Sequence, residues 1–233
     1  MESGKALEII NKKSIYSIMF FIILGCIIMA WVDAILSPSY AVKSFIKLLL
    51  FLVLPIVYSF MDKGVSFRNL FVFSKRGMVF PILLGIAVYL FIIASYFIMS
   101  PYFDFSKVTV ELENNIGVNK GNFVFVSLYI SFINSLLEEF FFRGFAFLTL
   151  KKVTSRKFAY FFSATAFSVY HIAMMTSWFT PILFILLITS LLVAGLLFNW
   201  LNEKSDNIYT SWMVHMCANF AINTIGFMLF GIL

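Results

Sequence analysis

Polar residues interrupt this 233-residue chain only in short gaps, and long apolar runs dominate what lies between them. Seven runs read as membrane spans: Tyr16–Leu36, Phe45–Phe60, Met78–Ser100, Asn122–Leu150, Phe158–Trp178, Pro181–Trp200 and Ile208–Leu233. A crossing takes about 20 helical residues at about 1.5 Å each, so runs of this length predict helices. The fourth run has 29 residues, more than one crossing needs, so a tilt or a break near Gly144 is expected there, with a further short segment beyond the break. The pattern predicts an all-α, polytopic transmembrane helical bundle of about seven to eight spans. Residues 1–233 read as a single integral-membrane domain without internal repeats, and residues 122–233 read as its motif-bearing core.

Composition narrows the function. The chain is 62% hydrophobic and 12% charged, against about 25% charged in an average soluble domain. A large soluble catalytic domain is thereby excluded, and any chemistry must come from a few polar side chains held inside the membrane. The formal charge of +6 would raise the question of nucleic acid, but the basic residues lie in gaps between spans and read as an orientation signal, so no nucleic acid is implied. With the N-terminus cytoplasmic, the inner segments hold twelve lysines and arginines: Lys5, Lys12, Lys13, Lys63, Arg68, Lys75, Arg76, Lys151, Lys152, Arg156, Lys157 and Lys204. The outer segments hold four, Lys43, Lys47, Lys107 and Lys120, and the positive-inside rule favours this orientation; a bacterial plasma membrane is the expected location. The first run is too long for a signal peptide and lacks a small-residue cleavage site, so it is expected to be retained as a helix. Cys26 and Cys217 both lie in spans and form neither a metal-type spacing nor a disulfide framework.

The rarest residues of the chain lie where they cost most. Glu138 and Glu139 are adjacent and deep in the fourth run, and both histidines, His171 and His215, are also within spans. Ionisable groups in a bilayer cost roughly 2.5–3.5 kcal/mol each on insertion scales, so they are paired, turned inward and tied to function. Glu139 and Arg143 stand at i,i+4 with the acid first, the favourable order for a helical ion pair. Glu138 is about 100° away around the helix. The spacing therefore predicts a structural pair, Glu139 with Arg143, and a free carboxylate at Glu138. His215 shares a helical face with Asn219. Counted from the inner boundary at about 1.5 Å per residue, Glu138 lies about 18 Å deep, His171 about 20 Å and His215 about 11 Å. Two imidazoles, a carboxylate and a carboxamide at overlapping depths suit hydrolysis: a base for water, an acid to return the proton, and donors for an oxyanion.

Glu138-Glu139-x-x-x-Arg143, Phe167-x-x-x-His171 and His215-x-x-x-Asn219, in that order, resemble the three motifs of the CAAX-protease and bacteriocin-processing (CPBP, or Abi) family of intramembrane proteases. The matched block runs from Glu138 to Asn219, 82 of 233 residues. The resemblance implies an endopeptidase acting on membrane-associated substrates, either lipidated CAAX-type proteins or the leaders of bacteriocins and signalling peptides. Its partners would be the lipid bilayer and that peptide or lipidated protein. Carried over by residue, it implies that Glu138 and His171 activate water, that His215 and Asn219 stabilise the oxyanion, and that Glu139 and Arg143 hold the first motif in shape. The family is named for metalloproteases. A zinc or other divalent ion, if present, would use Glu138, His171 and His215, but Asn219 beside His215 reads better as an oxyanion donor than as a ligand, so no tightly bound metal is expected. The competing classes are a proton-coupled transporter, which would show inverted repeats and broken helices in both halves, and a non-catalytic immunity or partner membrane protein.

Overall fold

The computed structural model describes residues 2–73, 76–176 and 178–233; Lys75, one of the twelve orientation charges, lies outside them. Among the described residues, seven helices are long and apolar enough to cross a membrane: α1 (Lys12–Leu36), α2 (Tyr40–Met61), α3 (Val79–Met99), α5 (Phe123–Val153), α6 (Arg156–Met175), α7 (Pro181–Ser205) and α8 (Tyr209–Leu229). A shorter helix, α4 (Ser106–Ile116), joins α3 to α5. The protein is an all-α, multi-pass integral membrane protein, and each of the seven apolar runs corresponds to one of the long helices. The fourth run does not break at Gly144. It forms the 31-residue helix α5, which widens into π-helix at Ile130–Asn134 and again at Glu139–Leu148.

The bundle is organised around α5. Every residue from 137 to 150 is buried, whereas Leu83, Phe91, Phe161 and Val193 on other helices are exposed on the outside of the bundle, as lipid-facing residues must be. The phenylalanines of α5 pack against α1 and α2. Phe141 stacks on Phe51 at a centroid distance of 4.0 Å, and Phe142 meets the same ring edge-on at 5.5 Å. Small residues let the outer helices approach closely. A Cβ on Gly195 of α7 would stand 3.0 Å from the Ala164 Cα of α6, and one on Gly85 of α3 would stand 2.7 Å from the Cys217 Sγ of α8.

A π-helix closes i→i+5 bonds, so each change from α to π leaves backbone carbonyls short of their ordinary donor. Neighbouring side chains supply it. Ser163 of α6 donates to the Phe142 carbonyl at 2.7 Å, and Thr149 to that of Gly144 at 3.1 Å. From α8, Asn223 donates to Ser127 at 3.1 Å and Trp212 to Phe132 at 3.2 Å. The polar residues of α8 thus fasten it to the central helix. At one end of the bundle, Arg156 forms a two-bonded ion pair with Glu203, at 2.8 and 2.7 Å, tying α6 to α7.

Candidate active site

Glu138 sits at the point of α5 where regular α-helix passes into the π segment, and it is 3% exposed. It is not free. The Lys47 ammonium of α2 donates to Glu138 Oε1 at 2.5 Å and to Asn134 Oδ1 at 2.6 Å, and Asn134 Nδ2 donates to the same carboxylate oxygen at 3.1 Å. One oxygen of Glu138 is therefore saturated, and the other, Oε2, faces the two histidines. It lies 4.0 Å from His171 Nε2 and 3.6 Å from His215 Nε2.

This arrangement corrects two expectations. Lys47 is not an outer-loop charge: it is 5% exposed inside the bundle, and without it the outer segments keep three of their four lysines. Glu138 does not stand unpaired beside a neutralised Glu139, because a second cation arrives from a helix that carries no motif. The signal for it is present in the sequence, since Lys47 falls inside the Phe45–Phe60 run itself. Asn134 is also readable there, as it lies one helical turn before Glu138 on the same face.

Both histidines are oriented through their far nitrogens. His171 ends the regular helix Arg156–Tyr170, where carbonyls lack helical donors, and its Nδ1 meets the Phe167 carbonyl at 2.7 Å. A backbone carbonyl only accepts, so Nδ1 carries the hydrogen and Nε2 offers a lone pair toward Glu138. His215 Nδ1 meets Glu139 Oε1 at 2.9 Å, which sets its ring in the same sense. Glu139 is fully buried, accepts a further hydrogen bond from Ser211, and pairs with Arg143 Nε at 3.6 Å. The expected Glu139–Arg143 pair is thus present, but it is looser than a hydrogen bond, and Glu139 also orients a histidine. The wider π turn alters the i,i+4 geometry that an α-helix would give. Arg143 stacks instead on Phe167 at 4.0 Å and Phe198 at 5.0 Å.

The structure brings Glu138, His171 and His215 to one point, with Glu139 and Arg143 immediately behind His215. Counted along the chain, His215 stands about 7 Å nearer the boundary than Glu138. Their side chains nevertheless meet at 3.6 Å, and the π segment Glu139–Leu148, which advances less per residue than an α-helix, lessens the difference in depth. Asn219 lies one turn beyond His215, and its Nδ2 donates to the Ile130 carbonyl at 3.2 Å, which leaves its second N–H for other use.

A divalent metal would have to draw on Glu138, His171 and His215, and these residues do not fit one. Zinc bonds of about 2.0–2.1 Å set tetrahedral ligand separations of about 3.3–3.4 Å, and the gaps to Glu138 Oε2 are 3.6 and 4.0 Å. Among the described residues, no group of three His, Cys, Asp or Glu side chains is placed to hold an ion. A resident ammonium 2.5 Å from the carboxylate also repels a second cation.

Residues 120–221 match the family model described as type II CAAX prenyl endopeptidase Rce1-like, a stretch of 102 residues that holds both glutamates, both histidines, Arg143 and Asn219. No curated protein and no solved structure matches the chain. The match agrees with the resemblance carried by the three motifs: over residues 120–221, somewhat under half of the chain, the protein is similar to the Rce1-like CAAX-type endopeptidases.

Proposed function

We propose that this protein hydrolyses a peptide bond of a membrane-associated peptide or lipidated protein, using water activated by Glu138 and His171 without a resident metal. The observation that carries the reading is the convergence of Glu138 Oε2 and the Nε2 atoms of two histidines within 4.0 Å, inside a bilayer-spanning bundle. A water held about 3 Å from both Glu138 Oε2 and His171 Nε2 donates a hydrogen bond to each and keeps its own lone pair for the substrate carbonyl. Glu138 takes the proton as the water attacks and returns it to the leaving amine. His171 aligns the water.

His215 and Asn219 serve the negative charge that develops on the carbonyl oxygen. Glu139, accepting from Nδ1 on the far side, holds the His215 ring so that a hydrogen on Nε2 would donate to the oxyanion. Asn219 adds its second amide N–H. Arg143 pairs with Glu139 behind the ring. A lipidated CAAX-type protein and a bacteriocin or signalling-peptide leader are both substrates of the required kind, and the excess of basic residues in the inner segments supports a site reached from the cytoplasmic leaflet.

The test is turnover in proteoliposomes with two fluorogenic panels, prenylated CAAX peptides and membrane-bound leader peptides. Wild type should cleave a member of one panel, and Glu138→Gln should lower kcat by about 10²- to 10⁴-fold, the usual contribution of general acid–base catalysis. Full activity in folded Glu138→Gln would overturn the assignment. The same preparation should keep its activity after exhaustive chelation. Activity that returns only with added zinc would reverse the metal-free reading.

A further inference from the structure

Lys47 is the one member of the central cluster that lies outside every motif and outside the matched segment. A lysine that is 5% exposed in the middle of a bundle must be held by something, and here nearly all its capacity is committed. It donates to Asn134 at 2.6 Å and to Glu138 at 2.5 Å, and its Nζ lies over the Tyr170 ring at 4.9 Å and over the Phe51 ring at 5.3 Å from the centroids. The two rings wall it off from other partners, and Asn134 fixes it from the same turn of α5 that presents Glu138. Its contact falls on one oxygen, Oε1, while the opposite oxygen faces the histidines.

We propose that Lys47 is a positioning residue of this site: by pinning Glu138 Oε1 it turns Oε2 toward His171 and His215. The inference rests on the hydrolytic reading above. A carboxylate on a three-bond side chain can rotate, and its two oxygens are equivalent until something distinguishes them. Lys47 at 2.5 Å distinguishes them, with Asn134 Nδ2 adding a longer bond of 3.1 Å to the same oxygen, and Oε2 stays free for water. Lys47 itself does not reach the reacting atoms.

The experiment uses the full-length protein in proteoliposomes, with Lys47→Met, Lys47→Arg and Lys47→Ala compared at saturating and limiting peptide. Lys47→Met should lower kcat by about 10²-fold and leave KM within about twofold, because substrate binding is untouched. Lys47→Arg should keep kcat within about tenfold of wild type, and ethylammonium should restore part of the Lys47→Ala activity in a saturable way. If Lys47→Met retains wild-type kcat, or if Lys47→Arg is as slow as Lys47→Met with no rescue by ethylammonium, the proposal fails. Should Lys47→Met not fold, Asn134→Asp keeps an acceptor for the ammonium but removes the Nδ2 donor to Glu138 Oε1; with Lys47 still in place it should keep kcat within about tenfold of wild type, and a loss as large as that of Glu138→Gln overturns the proposal.

If wild type cleaves neither panel, the hydrolytic reading falls while the orientation of Glu138 remains testable by melting. Lys47→Met and Glu138→Gln should then be strongly coupled, the double variant melting above Lys47→Met. Additive losses would overturn the pairing as well.

Discussion

Arg143→Met isolates the electrostatics behind the second histidine. The substitution keeps an unbranched side chain of similar length between Phe167 and Phe198, which lie 4.0 and 5.0 Å from the guanidinium, and a thioether recovers part of the ring contact. What it removes is the charge 3.6 Å from Glu139 Oε2, in a place where both side chains are fully buried. At an effective dielectric constant of about 20, that separation corresponds to about 4.6 kcal/mol of attraction. Breaking a buried pair from one side costs roughly 3–5 kcal/mol. Ser211 and His215 still donate to Glu139, so the lower end applies, about 3 kcal/mol. For a chain of this size that is a fall of about 6–12 °C in Tm. Cys26 and Cys217 are free and only partly exposed, so a thiol-reactive dye reads the unfolding directly. Glu139→Gln combined with Arg143→Met removes both charges and should recover at least half of the lost stability. Turnover should stay low in the double variant, because a carboxamide can present its N–H in place of an oxygen and no longer fixes the His215 ring through Nδ1 as the carboxylate does. A fall below about 3 °C in Arg143→Met, or a double variant no more stable than the single one, would refute the reasoning.

Other expectations follow from the ends of the bundle. Burial alone would raise the Asp62 carboxyl, but hydrogen bonds from Ser14 at 2.5 Å, Tyr58 at 2.8 Å and the Gly64 N–H at 3.0 Å outweigh it and hold the group below its ordinary value. A depressed carboxyl stabilises the fold above its unfolded value of about 4, and the stabilisation is lost as pH falls through the folded value. Asp62→Asn should therefore melt lower at pH 7, by no more than about 1 kcal/mol after solvent screening, and lose part of the decline in stability below about pH 4. Lys152→Cys, placed next to the α5–α6 turn, should resist labelling by an impermeant maleimide applied to intact cells; ready labelling would invert the proposed orientation. Gly195→Val forces a side chain where even a Cβ stands 3.0 Å from Ala164, so α6 and α7 must separate and the variant should be recovered in low yield or with a Tm several degrees lower.

Spans and motifs are legible in the sequence because each is a local signal. A bilayer demands about 20 apolar residues in a row, and an apolar helix that carries Glu138, His171 or His215 stands out against that demand. Partnerships across the bundle are not legible, because they depend on which helices are neighbours. Lys47 shows the difference: on α2 alone it is one more lysine near a span end, and only contact with α5 makes it the partner of Glu138. Ser211 is another such residue, an ordinary hydroxyl in sequence that becomes a donor to Glu139. The π segments are also hidden, since no pattern of apolar spacing separates 31 residues of α-helix from a helix that widens twice.

That widening explains how so apolar a helix supports a polar centre. A straight α-helix satisfies all its interior carbonyls and offers its neighbours only side chains. Helix α5, by passing into π-helix at Ile130 and Glu139, releases carbonyls that Ser163, Trp212, Asn219 and Asn223 then occupy. The helices carrying His171 and His215 are thereby fixed against the same stretch that carries both glutamates. The charges are balanced within that stretch as well: Lys47 faces Glu138 and Arg143 faces Glu139, two cations for two carboxylates. A site balanced in this way withstands the removal of one matched pair better than the removal of one partner, and the two double-variant comparisons measure that difference.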